Sequence, residues 1–237
     1  GQVRITQNKF NDISAWISGN TPSSIDWVPL DANVSPTTIT AGSRFTLTDF
    51  LLHNYSSSSF NGTVNHRVYL STDNNITTGD TKLGDYSSTF TLSAKSSIPI
   101  NFTTPPTIPP STTGGTYWIG VLLNITDSNT GNNATQGWDA VQINVNTLKY
   151  TLTVNKAGTG SGTVTSSPSG ISCGSDCSQS YNYNTSVTLT AAASTGSTFT
   201  GWSGACSGTG TCTVSMTAAR SVTATFNISK YTLTVSK

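Results

Sequence analysis

The sequence predicts an all-β protein: an immunoglobulin-like β-sandwich followed by a small disulfide-bonded β-repeat domain. Three observations predict it. Charge is scarce, at 9% Asp, Glu, Lys and Arg against ~25% in an average soluble domain. Helix formers are thin, with a single Met and no Glu in 237 residues, while Ser and Thr fill roughly a third of the chain. Short runs of alternating residues, separated by Gly, Asn, Ser and Pro, recur throughout, and all four cysteines fall in the last third. Thr suits a pleated strand because of its β-branch, and Ser, Asn and Gly suit the turns.

Residues 1–25 read as an N-terminal arm or the remnant of a preceding domain, with Val3 and Ile5 alternating as in a strand. Residues 26–147 read as the sandwich. Strands are expected near Trp27–Val34, Arg44–Asn54, Val64–Ser71, Tyr86–Leu92, Ile98–Phe102, Thr116–Asn124 and Trp138–Val145. Seven short strands with polar turns between them are the pattern of a β-sandwich. Turns are expected at Ser35-Pro36, Ser56–Ser59 with Asn61-Gly62, Asn74–Gly79, Pro105–Gly115 and Asp127–Gly137. His66, Val68 and Leu70 alternate with Arg67, Tyr69 and Ser71, so one face of that strand is buried. Trp118, Ile119, Val121 and Leu123 form a more continuous apolar run, as a central strand does. Thr104–Ser111 is Pro-rich and reads as an extended connection within the sandwich rather than a ligand for another domain.

Residues 148–229 read as the second domain. Tyr150, Leu152 and Val154 alternate with Thr, and Gly158–Gly162 reads as a hairpin turn into Val164. A unit of ~80 residues has a small core, which disulfides closing local loops would support. Cys173, Cys177, Cys206 and Cys212 are spaced C-x3-C and C-x5-C. Structural zinc sites use C-x2-C pairs more often, so disulfides and an oxidising compartment are the reading. Local pairs, 173 with 177 and 206 with 212, are expected among the three connectivities that four cysteines allow. Trp118 and Trp202 are the expected core anchors.

Residues 230–237 carry a repeat signal. Lys230-Tyr-Thr-Leu-Thr-Val-Ser-Lys237 nearly copies Lys149-Tyr-Thr-Leu-Thr-Val-Asn-Lys156, 81 residues further on. The segment reads as the first strand of a further repeat, or as a strand for pairing with a sheet edge, with Tyr231, Leu233 and Val235 as the pairing residues.

Asp26–Val145 resembles the bacterial cell-adhesion-related immunoglobulin-like domain family, the CARDB type. The resemblance lies in Ala41-Gly42-Ser43, in Val68–Asp73 leading to Thr78–Gly84, in Gly115–Ile119 and in the pair Asn132-Asn133. It implies a non-catalytic sandwich on secreted and surface proteins. Acidic residues often found before the Asn pair are replaced by Ser128–Gly131. Tyr150–Phe226 resembles a bacterial repeat distantly related to the internalin B-repeat. The residues are Gly162-Thr163-Val164, Gly170–Gly174, Val187–Ala191, Phe199–Gly204, the four cysteines and Val222–Phe226. That resemblance implies a spacer or interaction role and carries no enzymatic residues.

Chemistry-bearing constellations are few. The two histidines, His53 and His66, lie in expected strands, and no Gly-x-Ser-x-Gly motif supports a hydrolase. Gly158–Gly162 lacks the helix that a phosphate loop needs. The candidate for Ca²⁺ is the loop Asp73–Asp80, with Asp73, Asn75 and Asp80 leading and Asp85 or Asp127 as further donors, because calcium takes 6–8 oxygen ligands. The competing reading is a loop whose Asx side chains bond their own backbone. Asn54, Asn61, Asn75, Asn101, Asn124 and Asn133 head Asn-x-Ser/Thr sequons, which allow glycosylation. A net charge of +1 gives no electrostatic reason for a nucleic-acid partner, and no apolar run is long enough to span a membrane as a helix.

These features together predict a non-catalytic, extracellular or cell-surface structural and adhesive protein, a stalk or fibre-forming β-module. Its expected partners are other copies through β-strand pairing, other surface proteins or glycans. An accessory carbohydrate-binding or positioning module of a secreted hydrolase is the alternative.

Overall fold

A computed structural model of the chain describes residues 27–30, 33–48, 50–124, 140–231 and 233. The arm 1–25, Asp127, Ser128–Gly131, Asn132-Asn133, Trp138 and Val235 lie outside the described residues. Every regular element among the described residues is a strand, as alternating apolar and hydroxyl-bearing side chains require. Two compact units divide between Asn146 and Thr147.

The first unit contains β1 (Trp27–Leu30), β2 (Asn33–Ser35), β3 (Thr38–Thr40), β4 (Thr46–Thr48), β5 (Leu51–Asn54), β6 (Phe60–Ser71), β7 (Thr81–Leu92), β8 (Ser96–Pro99), β9 (Gly115–Leu123) and β10 (Val141–Asn146). Five strands in the order β3-β10-β9-β6-β7 form the larger sheet, β1-β5-β8 a second, and β2-β4 a short pair. Phe50, Leu52, Val64, Val68, Ile119 and Ile143 are among the side chains buried in its core. The apolar run at Trp118–Leu123 lies in β9, in the middle of the larger sheet. Trp118 itself is half-buried and packs on a smaller cluster of Tyr69, Ile76 and Ala140.

Strand bounds differ from the sequence reading in several places: β7 starts at Thr81 rather than Tyr86, and β8 is Ser96–Pro99 rather than Ile98–Phe102. Asn61-Gly62 is not a turn but part of β6, where Asn61 pairs with Thr91 and Gly62 with Phe90. The Phe60 ring lies over the missing side chain of Gly62 and packs on Phe90 at 5.7 Å, so aromatic cover compensates for the glycine. The run Arg44–Asn54 is two strands that serve different sheets: β4 pairs β2, whereas β5 pairs β1 and β8. Trp27–Val34 divides likewise into β1 and β2. Thr104–Ser111 follows the chain at 42–45, with Gly42 N donating to Ile108 O (2.8 Å) and Ile108 N to Ser43 O (3.0 Å).

The second unit contains β11 (Lys149–Ala157), β12 (Gly162–Ser167), β13 (Ser178–Asn182), β14 (Ser186–Ala193), β15 (Ser197–Gly204), β16 (Cys212–Ser215) and β17 (Arg220–Ile228). Its sheets run β13-β11-β17-β15 and β12-β14-β16. Leu152, Val154, Val187, Leu189, Val222 and Phe226 are among the residues filling its core. The expected hairpin at Gly158–Gly162 is a correction: β11 pairs with β13 and β17, and β12 pairs with β14, so the glycines carry the chain from one sheet to the other. They do so across the end of β17. Gly158 has φ +95°, Gly160 N donates to Phe226 O (2.8 Å), and a Cβ on Gly162 would run into the Phe226 ring. A left-handed backbone at Gly158 and close approach to β17 by all three require glycine here.

Candidate functional site

The second unit is organised around its two disulfides. Cys173 is bonded to Cys177 and Cys206 to Cys212, and no cysteine is free. The first bridge joins the sheets. Cys173 N donates to Val164 O (2.7 Å) on β12, and Val154 N on β11 donates to Cys177 O (2.8 Å). The second holds a loop against Trp202, whose backbone N–H donates to Gly208 O (2.7 Å) and whose indole Nε1 donates to Gly210 O (3.0 Å). Trp202 is buried, packs edge-on against Phe199 at 4.9 Å, and so gains both a core position and partners for its polar handle. Sequence reasoning singled out Trp202 and the cysteines but not Gly208 and Gly210. Gly208 sits at φ +78°, and the Gly-x-Gly between the two cysteines was the available signal.

In the Asp73–Asp80 loop one oxygen of each carboxylate caps the loop itself. Asp73 Oδ1 accepts from Asn75 N (2.8 Å), and Asp80 Oδ2 accepts from Thr77 N (2.7 Å) and Thr77 Oγ1 (3.1 Å). These are the bonds of a self-capped Asx loop, the reading that competed with Ca²⁺. Among the described residues no group of three or more His, Cys, Asp and Glu side chains is placed to hold a metal ion. Asp85 lies on β7 instead, paired with Lys82 Nζ (2.6 Å) and Arg67 Nε (3.0 Å). The Lys82 hydrogen bond, then that of Arg67, holds its carboxyl below the usual carboxylate range.

The histidines sit apart in chemistry as well as in sequence. His53 Nδ1 lies 2.6 Å from Ser97 Oγ, the residue directly opposite it on β8. That spacing is within reach of a general base, but His53 Nε2 is buried with no hydrogen-bond partner among the described residues. The contact therefore lacks the orienting third group of a Ser-His-Asp arrangement. His66 is buried at 2% exposure, parallel to Tyr86 at 5.9 Å and edge-on to Phe102 at 5.3 Å. Burial pushes its imidazole below the ordinary range, only partly offset by the Val64 carbonyl at 3.4 Å. Burial lowers His53 in the same way.

A lowered histidine pKa means that the unfolded chain binds protons before the folded chain does, so stability falls as pH falls through the unfolded value of ~6.5. The first unit is expected to lose stability between about pH 7 and about pH 5. His66→Phe, which keeps the aromatic packing, is expected to reduce that loss; urea unfolding midpoints across the pH range measure it. The Asp85 carboxyl, held low by its two cations, titrates below this window.

Of the sequon asparagines, Asn54 is fully buried and its side chain bonds Ser56 and Ser58, whereas Asn61, Asn75, Asn101 and Asn124 are exposed. Tyr231 and Leu233 lie outside every strand, 87% and 86% exposed. No helix among the described residues is long and apolar enough to cross a membrane.

Two small sheets, two short disulfide loops and a glycine crossover define a disulfide-pinned β-repeat unit. Residues 150–230 match the family model of the divergent InlB B-repeat domain. No curated protein matches the chain. Two solved structures of a bacterial adhesin from Mobiluncus mulieris, containing intramolecular disulfide, isopeptide and ester bond cross-links and crystallised in two space groups, resemble it. Their TM-scores are 0.44 and 0.37, with 11% identity over 86% of this chain and 99% of theirs.

Proposed function

We propose that the protein is a non-catalytic structural and adhesive β-module of the cell exterior, and that Lys230–Lys237 joins copies by adding a strand to the exposed edge of β13. The first unit is, in this reading, a cell-adhesion-related immunoglobulin-like domain. The observation that carries the proposal is the second edition of β11. The first Lys-Tyr-Thr-Leu-Thr-Val buries Leu152 and Val154 between β13 and β17. The second leaves Leu233, the counterpart of Leu152, in solvent.

Several facts support the outer edge of β13 as the receiver. It already accepts this sequence on its inner side, from Lys149↔Asn182 to Thr153↔Ser178. Its residues, Ser-Gln-Ser-Tyr-Asn, carry neither the charge nor the proline that guards an edge strand. Two other edges of the unit already carry neighbours: β12 meets Ile171–Cys173, through Ser166 N to Ile171 O (3.1 Å), and β15 meets Gly208 at Trp202. Paired cysteines support an oxidising, extracellular location.

The test is sedimentation and electron microscopy of the purified chain against Leu233→Asp. Removing one apolar anchor and adding a charge is expected to weaken self-association by about tenfold or more. Assemblies identical in the two proteins, or a monomer at every concentration, would remove strand joining from the account.

A further inference from the structure

The first unit carries a cleft that the structural reading leaves unused. Its volume is about 620 Å³, within the ~300–1,000 Å³ of small-molecule sites. It opens beside β7, the edge strand of the larger sheet, and its far wall is the segment Asn101–Thr107. The walls are held firmly. Arg44 and Thr107 form a β-bridge across one end, and Phe45 N donates to Pro106 O (3.1 Å). On the other side His66 and Tyr86 face each other across β6 and β7, with Phe102 edge-on to Tyr86 at 4.9 Å.

The chemistry of the lining is specific. Hydroxyl and amide groups dominate, from Ser87, Ser88, Asn101, Thr103 and Thr104. A ligand matching them must be rich in hydroxyls. Tyr86 and the prolines offer flat apolar surface, which suits the C–H faces of a pyranose ring rather than a fully solvated polyion. Two ionised residues line the cleft. Asp85 is already matched by Lys82 and Arg67. Arg44 is exposed and makes no side-chain hydrogen bond or ion pair among the described residues. A planar guanidinium left free recognises a carboxylate with two parallel hydrogen bonds.

We infer that this cleft binds a carboxylate-bearing oligosaccharide, with Arg44 forking the uronate carboxyl, Tyr86 supporting a sugar ring, and the Ser/Thr/Asn rim taking the hydroxyls. The site is separate from the terminal strand and does not depend on the joining of copies. An adhesive module would thus hold an acidic glycan with one unit while the other unit assembles.

The test is isothermal titration calorimetry of the full chain with oligogalacturonate, and with cellohexaose as a neutral comparator. Oligogalacturonate is expected to bind, with affinity falling as salt rises, and cellohexaose to bind at least about tenfold more weakly. Arg44→Ala, an exposed substitution, is expected to remove that preference without shifting the melting temperature. Tyr86→Phe should retain binding and Tyr86→Ala should lose it. Two results would overturn the inference: no binding of oligogalacturonate at about 1 mM, the weak end of specific recognition, or binding that Arg44→Ala leaves unchanged. Leu233→Asp is expected to bind the oligosaccharide like the unaltered chain, so loss of assembly and loss of glycan binding are read separately.

Discussion

Phe226→Ala is expected to destabilise the second unit by ~3–5 kcal/mol, the range for emptying an aromatic site in a close-packed core. Phe226 is 1% exposed and lies 5.5 Å from the Phe199 ring. It also forms the surface over which Gly158–Gly162 cross between the sheets. Alanine would therefore leave a cavity and remove the support for the crossover at the same position. Leucine keeps most of the volume and should cost much less, about 1.5 kcal/mol or below. Urea unfolding of the two variants measures both values. Similar midpoints for Phe226→Ala and the unaltered chain would mean that the unit collapses around the gap, and that the crossover does not rest on this ring.

Removing both disulfides is the second large effect expected. The bridges close loops with sequence separations of only 4 and 6 residues, so each is worth about 2 kcal/mol by restricting the unfolded chain. A loss of about 4 kcal/mol is a large share of the ~5–15 kcal/mol that holds a domain together. The two are not equivalent in consequence. Cys173→Ala with Cys177→Ala should loosen the link between β11 and β12, because the loop's backbone bonds Val154 and Val164 in different sheets. Cys206→Ala with Cys212→Ala should free the loop under the indole, and Trp202 fluorescence should shift before global unfolding. Thermal unfolding of each pair, with hydrogen exchange at Val154 and Trp202, separates them.

Much of this architecture was legible in the chain itself. Alternation at Tyr150–Val154 and at Val222–Phe226 marks β11 and β17 because one face of each is buried against the core. What misled were glycines. Asn61-Gly62 has turn composition, yet Phe60 covers the glycine and the strand runs on. Gly158–Gly162 has hairpin composition, yet the requirement comes from Phe226, more than 60 residues away, and no local pattern encodes it. The same limit applies to the sites. Spacing alone does not reveal that Asp73 Oδ1 and Asp80 Oδ2 accept backbone amides of their own loop. Arg44 and Tyr86 attracted no notice because their shared cleft exists only once Asn101–Thr107 has folded between them.

The repeated octapeptide is where sequence and structure bear most directly on one another, since Leu152 of the first copy is buried and its counterpart Leu233 lies in solvent. Backbone hydrogen exchange at Tyr231–Val235, followed over a wide range of protein concentration, decides whether the second copy pairs as well. Strand joining predicts amides that slow as concentration rises, together with new protection along β13. Exchange at the free-peptide rate at every concentration would contradict it.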